Sequence, residues 1–363
     1  MRVLFCGGGT AGHVNPSIAI YETILKNKPN SKFAYVATLN GIENTLVKFK
    51  KYHINVRGLK RSLSLSNFKT GILALKAIKR SKEIIKEFMP DIIVGTGGYA
   101  TYPVIVAGHK LGIKTIIHES NAIPGKSIKM LEKYADKILV NFEETKRFFK
   151  KPSKVVHTGN PVRQGFDGTN KEGLKNKNKI KEKFVIACYG GSLGAEKINE
   201  AAIEVIDNLI KYRDDILFIL STGKKDYERV MKLLKEKHLS ALKNILVVPY
   251  IENMPEVIGM ADVVVSRAGA MSISELAISQ KCAIFVPSPN VAENHQYKNA
   301  KLLENAGASV LVNENTLYQL TDTLRDLLEN GEKRNKMENR IKEFANKNSN
   351  KIIYNEILSL LNR

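Results

Sequence analysis

The 363-residue sequence has no tryptophan and only three cysteines, Cys6, Cys188 and Cys282. The cysteines lie far apart and none has the spacing of a metal site, so we expect thiols in a reducing compartment. No stretch reaches the roughly 18 consecutive apolar residues that a membrane-spanning helix requires. The first six residues lead into a glycine-rich segment too soon for a signal peptide. These absences predict a cytosolic protein, which could still dock on a membrane.

Acidic residues are scarce in the first half of the chain. Residues 1–160 contain 27 lysines and arginines against 10 acidic residues, residues 161–363 contain 30 against 26, and the net charge is +21. A strongly basic half attracts a polyanion, either nucleic acid or an anionic lipid surface. The alternative is a lysine-rich composition that only keeps the protein soluble. Nucleic acid is disfavoured, because no recognised nucleic-acid module and no basic run interleaved with aromatic residues is present.

Short apolar runs alternate with segments of helical period such as 17–26 and 72–88. This pattern predicts parallel sheets covered by helices on both faces. It restarts near residue 184, so we expect an α/β protein with two doubly wound, Rossmann-like domains. The predicted strands are 3–6, 34–38, 91–95, 115–118 and 138–141 in the first domain and 184–188, 217–221, 245–249, 263–266 and 283–286 in the second.

The domain boundary is predicted from composition. Residues 167–183 are rich in Lys, Asn and Gly and have no hydrophobic period, which indicates a linker or surface loop. We place the first domain at 1–163 and the second at 164–343, and the helical tail 344–363 could cross back to the first. Two such domains facing each other would form a cleft, where ligands bind beyond the carboxyl ends of the strands.

Each domain is predicted to begin with a strand, a glycine-rich turn and a helix, an arrangement whose backbone amides can hold an anion. The first turn has the pattern G-x-G-x-x-G over residues 7–12, and Asn15 and Pro16 are expected to begin its helix. A nicotinamide enzyme would need an acidic residue at the end of the next strand, but residues 37–40 contain none. The alternative is a tight turn with a structural role only.

His13 follows the first turn. Imidazole is the usual general base near neutral pH, so His13 is a candidate base, although a hydrogen-bonded structural histidine is the alternative. The second turn includes Ser192, whose hydroxyl can donate to a phosphate oxygen, and here too a purely structural turn is the alternative.

The segment 266–275 follows an apolar strand and is rich in small residues, which let the backbone approach a ligand. Ser272 or Ser274 could cap a helix whose N-terminus faces an anion. The carboxylate of Glu275 could accept hydrogen bonds from a ribose diol, or could merely complement the helix dipole.

Polar clusters also follow strands at 118–121 and 293–296, where amides and carboxylates suit sugar hydroxyls and solvated loops are the alternative. Arg163 could reach a pyrophosphate. No Asp-x-Asp pair occurs, so we expect neither a metal nor another cofactor. The charge of a diphosphate is then left to helix N-termini and Arg163.

Six segments, in one order over nearly the whole chain, resemble the MurG family, the bacterial UDP-N-acetylglucosamine transferases of peptidoglycan synthesis. Each segment alone is ordinary, whereas six in order are specific. Some family members have Gln-Gln where this chain has His295-Gln296, so only Gln296 is carried over. The segments are GGTAGH at 8–13, HESNAIPG at 118–125, GNPVR at 159–163, GGSLGA at 190–195, SRAGAMSISE at 266–275 and HQYKNA at 295–300.

The resemblance implies the GT-B fold, with the sugar nucleotide held mostly by the second domain. It implies that Ser192 and Arg163 meet the diphosphate, that the backbone at Ile251 meets the uracil and that Glu275 holds the ribose. Three further sets are implied: Ala270, Met271, Ser272, Ile273 and Ser274 line the nucleotide and sugar, Asn121 and Gln296 bind the N-acetylglucosamine hydroxyls, and Thr10, Ala11 and Gly12 face the donor.

The expected enzyme is an inverting transferase with His13 or Glu119 as its base. It would move N-acetylglucosamine from UDP-N-acetylglucosamine to the C4 hydroxyl of undecaprenyl-diphosphate-linked N-acetylmuramoyl-pentapeptide, converting lipid I to lipid II. The expected role is cell-wall biogenesis, and with it cell shape and division. The alternatives are a GT-B transferase acting on membrane diacylglycerol, a UDP-sugar epimerase and, from another class, a basic polyanion-binding protein.

The membrane-docking region of the family corresponds to residues 59–88, which mix apolar and basic side chains. We therefore expect a peripheral protein on the cytoplasmic face of the bacterial plasma membrane, bound to anionic lipids. The alternative is an ordinary amphipathic helix packed on its sheet. The side chains concerned are Phe68, Ile72, Leu73 and Leu75 with Lys60, Arg61, Lys69, Lys76, Lys79 and Arg80.

Overall fold

The computed structural model of the chain contains two compact units. Unit 1 comprises Met1–Arg163 and Asn346–Arg363, and unit 2 comprises Gln164–Ala345. The residues described are 1–56, 65–167, 170–191, 193–291 and 294–361, with the backbone alone over 65–71.

Unit 1 is built on a parallel sheet of short, buried apolar strands. Its elements are β1 (Arg2–Cys6), α1 (Ala11–Asn27), β2 (Lys32–Thr38), α2 (Glu43–Leu46), β3 (Lys51–Ile54), α3 (Leu65–Phe88), β4 (Ile92–Gly95), α4 (Thr101–Lys110), β5 (Lys114–Glu119), α5 (Lys126–Leu131), β6 (Lys137–Val140) and β7 (Val155–His157), with 3₁₀ turns at Glu143–Phe148 and Pro152–Lys154. The strand order is β3-β2-β1-β4-β5-β6-β7. Because β1 and β4 are neighbours, the loops that follow them leave the same edge of the sheet.

Unit 2 repeats this plan. Its elements are α6 (Lys171–Lys177), β8 (Phe184–Tyr189), α7 (Glu196–Asn208), β9 (Ile216–Ser221), α8 (Tyr227–Glu236), β10 (Ile245–Val248), α9 (Met254–Met260), β11 (Val263–Ser266), α10 (Ala270–Ile278), β12 (Cys282–Phe285), α11 (His295–Asn305), β13 (Val310–Leu311), α12 (Leu320–Glu329) and α13 (Gly331–Ile341), with 3₁₀ turns at Ile210–Tyr212, Glu314–Gln319 and Lys342–Phe344. The strands are parallel in the order β10-β9-β8-β11-β12-β13.

The last helix, α14 (Ser349–Leu361), belongs to unit 1 and packs against α1. Its buried residues Ile353, Ile357 and Leu360 recur at helical spacing, so they lie on one face and join the core beneath β1. An ion pair between Lys137 and Glu356 adds a polar contact to the same sheet.

The two parallel sheets flanked by helices confirm the predicted α/β class. The strands β3, β7 and β13 were not predicted, because each has at most four residues and half-exposed or exposed positions. Among the described residues, no helix is both long enough and apolar enough to cross a membrane.

The prediction that residues 167–183 form a linker or loop is wrong for 171–177, which form α6. The side-chain oxygen of Asn170 caps this helix by accepting a hydrogen bond from the Gly173 amide at 3.0 Å. Leu174 packs against a buried apolar cluster that includes Val185. A cap and the apolar packing of Leu174 stabilise a helix too short to show a period.

Two predicted helix starts are also wrong. Helix α1 begins at Ala11 instead of Asn15 and Pro16, and Pro16 lies buried inside it. Helix α10 begins at Ala270 after Gly269, so neither Ser272 nor Ser274 is its cap. In both places the chain becomes helical immediately after the glycine-rich turn.

Lys281 lies just before β12 and is almost fully buried. Its ammonium donates hydrogen bonds to the carbonyls of Gly259 (2.8 Å) and Ala261 (3.1 Å) at the end of α9. Burial disfavours the charged form and lowers the pKa of Lys281 to about 8, although the nearby Glu338 carboxyl acts in the opposite direction.

We expect this lysine to make the stability of unit 2 depend on alkaline pH. Because the folded pKa lies below the unfolded value of 10.5, the folded state binds fewer protons than the unfolded state between these values, so stability rises with pH in that window. The unfolding free energy of the wild type relative to Lys281→Met should increase from pH 8 to pH 10 by about 1–3 kcal/mol, at about 1.4 kcal/mol per pKa unit. Urea unfolding at several pH values measures this. The exposed Lys235→Met is the control, and parallel pH curves for Lys281→Met and wild type would contradict the prediction.

Candidate active site

Two glycine-rich loops interlock at the carboxyl edge of the unit 1 sheet. The Gly8 amide donates a hydrogen bond to the carbonyl of Gly97 at 3.3 Å. Gly98 has φ +79°, and a Cβ there would lie 2.1 Å from the Gly8 carbonyl oxygen. No residue with a side chain fits at Gly98 without separating the loops after β1 and β4.

These loops support the N-terminus of α1, where four predicted residues lie. Thr10 and Gly12 are exposed, while Ala11 and His13 are half-buried. The His13 amide donates to the Thr10 carbonyl at 3.1 Å, whereas the amides of Ala11 and Gly12 come before the first helical hydrogen bond and can bind an anion. The ring of His13 lies against Gly97, since a Cβ at Gly97 would be 2.6 Å from Nδ1 of the imidazole.

Glu43 is a buried carboxylate that the sequence reasoning missed. Its Oε1 accepts hydrogen bonds from the Thr38 amide (2.8 Å) and hydroxyl (2.6 Å). A Cβ at Gly8 would lie 2.8 Å from the same oxygen, so the carboxylate supports the glycine loop. The end of β2 at residues 37–40 contains no acidic residue, but α2 returns Glu43 to Thr38 at this strand end.

The loop after β5 is organised by Glu119, which is 3% exposed. Its Oε1 accepts hydrogen bonds from the amide and the side-chain nitrogen of Asn121, both at 2.9 Å, and its Oε2 accepts one from the Gly125 amide at 3.0 Å. A carboxylate with three such donors orients Asn121, which is half-buried. The arrangement favours a positioning role for Glu119 over that of a base.

His118 lies beside Glu119 on β5 but is completely buried. Burial lowers its pKa to about 4, although a hydrogen bond to the Gly159 carbonyl opposes this effect. The Nε2 atom lies 3.3 Å from the Gly159 oxygen and the Nδ1 atom lies 3.4 Å from the Ser120 hydroxyl. The neutral ring therefore donates through Nε2 and links β5 to the loop after β7.

Arg163 ends that loop and is half-buried. Its Nε atom is buried and has no hydrogen-bond partner in the described parts of the chain. Burial raises the pKa of Glu22 on α1, and the charge of Arg163 partly offsets the rise, so the guanidinium lies near this carboxyl.

In unit 2, β8 and β11 are neighbouring strands, so the loops that follow them leave the same edge of the sheet. Ser192 lies outside the described residues, whereas its neighbour Leu193 is 78% exposed. Glu275 is buried on α10. Burial raises the pKa of Tyr189, the last residue of β8, and the nearby carboxylate of Glu275 raises it further. The structure therefore brings the ribose candidate to the strand that precedes the second glycine turn.

The remaining predicted residues of α10 form its first turns. Ala270, Met271, Ile273 and Ser274 are buried, and the Ser274 hydroxyl donates to the Ala270 carbonyl at 3.1 Å. Ser272 is half-buried, so its hydroxyl is the most accessible polar side chain of this turn.

Ile251 and Gln296 follow other strands of the same sheet. Ile251 is buried after β10, at one edge of the sheet. Gln296 is half-buried in the first turn of α11, and its Oε1 accepts a hydrogen bond from the Ser288 amide at 2.8 Å. Its carbonyl therefore holds the loop after β12, and Glu293 of that loop lies outside the described residues.

The two sheets flanked by helices, together with the matches to two family models, define a class of protein, the GT-B glycosyltransferases. The model of the glycosyltransferase family 28 N-terminal domain matches residues 3–140, and that of the C-terminal domain matches residues 185–352. Together these matches cover nearly all of both sheets, and β7 lies between the two matched ranges.

Relatives with known names are similar over the whole chain. The UDP-N-acetylglucosamine--N-acetylmuramyl-(pentapeptide) pyrophosphoryl-undecaprenol N-acetylglucosamine transferase of Thermoanaerobacter sp. (strain X514) is 40% identical over 99% of this chain and 100% of its own length. The transferase of the same name from Bacillus cytotoxicus is 41% identical over 87% of each chain.

Solved structures are also similar to this chain over nearly its whole length. The crystal structure of Acinetobacter baumannii MurG is 27% identical, with a TM-score of 0.75 over 99% of each chain. The UDP-GlcNAc 2-epimerase from Neisseria meningitidis, solved with UDP-GlcNAc bound, has a TM-score of 0.67 over 99% of this chain and 100% of its own, but at 17% identity it shares only the fold. The chain belongs to glycosyltransferase family 28 and, within it, to the MurG family, which confirms the resemblance and the predicted enzyme class.

We expect His118 to limit stability in acid. Its folded pKa of about 4 lies below the ordinary 6.5, so the unfolded state binds more protons between these values. Stability is fully present above about pH 6.5 and falls as the pH drops toward 4. In His118→Gln this loss should be smaller by about 1–3 kcal/mol, at about 1.4 kcal/mol per pKa unit.

Urea unfolding at pH 5, 6 and 7 measures the slope. The exposed His53→Gln is the matched control and should keep the slope of the wild type. An unchanged slope in His118→Gln would show that folding does not lower the pKa of the His118 ring.

Proposed function

We propose that this protein transfers N-acetylglucosamine from UDP-N-acetylglucosamine to the C4 hydroxyl of undecaprenyl-diphosphate-linked N-acetylmuramoyl-pentapeptide. The product is the lipid II precursor of peptidoglycan, and the role is cell-wall biogenesis, with its consequences for cell shape and division. The observation that carries the proposal is 40% identity over the full length of a transferase named for this reaction. Neither the diacylglycerol transferase nor the epimerase alternative has comparable support, since the epimerase likeness is one of fold.

In this proposal unit 2 holds the donor. Glu275 accepts hydrogen bonds from the ribose diol, and the backbone at Ile251 contacts the uracil. Ser192 and the first turn of α10 (Ala270, Met271, Ser272, Ile273 and Ser274) contact the diphosphate and sugar, with Gln296 and Asn121 at the sugar hydroxyls. The position of Glu275 beside Tyr189 supports this assignment, because it joins the ribose candidate to the loop expected to hold the phosphates.

The proposed reaction is a displacement at the anomeric carbon with inversion. The C4 hydroxyl oxygen of the acceptor forms the new bond, the bond to the β-phosphate oxygen breaks, and UDP leaves with the electron pair. His13 takes the hydroxyl proton, and Glu119 orients Asn121. Arg163 and the N-terminus of α10 stabilise the departing charge, while Thr10, Ala11 and Gly12 face the donor.

We further propose that a surface formed by α3 and α5 binds anionic lipid on the cytoplasmic face of the plasma membrane. Leu75 is 70% exposed and Ile72 43% exposed, and with the exposed Lys76 and Lys79 they share one face of α3 at i, i+3, i+4 and i+7. On α5, Met130 is 51% exposed, and Lys126 and Lys129 of the same helix are also exposed. Both helices pack against α4, so they cover the same side of the sheet. Lys60 and Arg61 lie outside the described residues, as do the side chains of Phe68 and Lys69.

We expect Glu275→Ala to weaken UDP-N-acetylglucosamine binding by roughly 1–3 kcal/mol, because hydrogen bonds to a charged group are lost. Calorimetry measures the binding, and labelled UDP-N-acetylglucosamine with lipid I or diacylglycerol measures transfer to each acceptor. Glu228→Ala, which removes an exposed carboxylate from α8, is the matched control. Unchanged donor binding in Glu275→Ala would remove the ribose assignment, and transfer to diacylglycerol alone would replace the proposed acceptor.

We expect the double variant Lys76→Glu, Lys79→Glu to bind anionic vesicles more weakly by several kcal/mol, at roughly 1 kcal/mol for each lysine lost and as much again for each acid gained. Sedimentation with vesicles of phosphatidylglycerol and phosphatidylcholine measures this. Lys232→Glu, Lys235→Glu on α8 changes the net charge equally and is the matched control. Equal losses in both double variants would indicate attraction by net charge instead of a docking surface.

A further inference from the structure

Three buried hydroxyl groups lie beneath the first turn of α1. Thr96, Ser17 and Tyr35 are each at most 1% exposed. The Thr96 oxygen lies 2.5 Å from the His13 carbonyl oxygen and 2.7 Å from the Ser17 oxygen. The Tyr35 hydroxyl donates to the Gly7 carbonyl at 3.3 Å. The cluster therefore connects β2 and the loop after β4 to the glycine loop and to α1.

The donors in this cluster follow from hydrogen-bond chemistry. A carbonyl oxygen only accepts, and the His13 carbonyl, at 2.5 Å from the Thr96 oxygen, is much closer than the Cys6 carbonyl at 3.5 Å, so the Thr96 hydroxyl donates to His13. The Ser17 hydroxyl then donates to the Thr96 oxygen. Both bonds are satisfied only if residue 96 carries a hydroxyl, because an apolar side chain would leave the Ser17 donor and the His13 acceptor without these partners.

The first turn of α1 has few restraints of its own. Thr10, at the N-cap, makes no side-chain cap hydrogen bond. Pro16 has no amide proton, so the hydrogen bond that would normally reach the Gly12 carbonyl is missing. The His13 amide donates to the Thr10 carbonyl at 3.1 Å, but an uncapped turn that lacks one helix bond gains further support from contacts outside the helix. The Thr96 hydroxyl provides such a contact at the carbonyl of His13 itself.

The next residue contacts the ring. Gly97 has φ +104°, and the site of its absent Cβ lies 2.6 Å from Nδ1 and 3.0 Å from Cε1 of His13. The segment Thr96–Gly97 thus touches both the backbone and the imidazole of one residue. These two contacts restrict where the ring of His13 can point.

We infer that Thr96 is a positioning residue for the transfer reaction, acting through His13. This inference rests on the proposed role of His13 as the base. Thr96 holds the first turn of α1 so that the imidazole faces the acceptor hydroxyl, and it takes no proton and contacts no substrate. Its loss should slow the chemical step more than it weakens donor binding.

The test is a double-mutant cycle between positions 96 and 13. We expect Thr96→Val, which keeps the shape but removes the hydroxyl, to lower kcat by about 10–100-fold, the scale of a misplaced reactive group. The KM for UDP-N-acetylglucosamine should change less than threefold. Thr96→Ser should restore kcat to within about threefold of the wild type. In a His13→Ala background, Thr96→Val should cause no further loss.

Thr115→Val is the matched control. Thr115 is also fully buried, and its hydroxyl donates to the Tyr134 carbonyl at 3.0 Å, but it lies near the opposite end of β5. It should lower stability without lowering kcat. If Thr96→Val does not fold, Thr96→Ala replaces it in the cycle, with the same expected results.

The outcomes separate this inference from the proposed function. A normal kcat in Thr96→Val with a severely reduced kcat in His13→Ala would overturn the role of Thr96 and leave the base intact. The role of Thr96 would also be overturned, with the base left intact, if Thr96→Val lowered kcat as much in the His13→Ala background as in the wild type. Failure of Thr96→Ser to restore kcat would lead to the same conclusion. A normal kcat in His13→Ala would instead remove the proposed base, and the role of Thr96 with it.

Discussion

The position of His13 depends on the contact between the backbones of Gly8 and Gly98. The parallel pairing of β1 with β4 brings the loops after these strands to one edge of the sheet. The two loops can contact each other there because Gly8 and Gly98 have no side chains. In this arrangement Gly97 lies against the imidazole, and α1 begins at Ala11. Glu43 supports the other side of the same loop, so a buried carboxylate and a glycine pair together shape the surface that the first turn of α1 presents.

Unit 2 uses the same kind of contact between different loops. Gly194 has φ +79°, and a Cβ there would lie 2.0 Å from the Thr222 carbonyl oxygen in the loop after β9. The side chain of Asn199 donates to the same carbonyl at 2.9 Å. In unit 1 the first loop packs against the loop after β4, whose counterpart in unit 2 would be the loop after β11. The duplication is therefore one of topology, while each unit packs its glycine turn on a different neighbour.

Residues that sequence reasoning treated alike have different environments. His13 and His118 both occur in polar segments close to the end of a strand. His13 is half-buried in the first turn of a helix, whereas His118 is completely buried, and burial lowers its pKa to about 4. Glu119 was a second candidate base, yet its carboxylate already accepts three hydrogen bonds from its own loop. The type of a residue indicates which reactions its side chain could take part in. Its burial and its hydrogen-bond partners decide which of these reactions remain possible.

The sequence by itself determined the α/β class, the two units and the family, because apolar strands, glycine turns and ordered motifs are local patterns. It could not reveal that Glu43 returns to Thr38, that α14 packs against α1, or that Thr96 bonds to the carbonyl of His13. The residues in each of these contacts are brought together by strand order or chain return, and two of the pairs lie far apart in sequence. Only the tertiary structure decided them, since a hydrogen bond or a close approach depends on distances in space that no local pattern encodes.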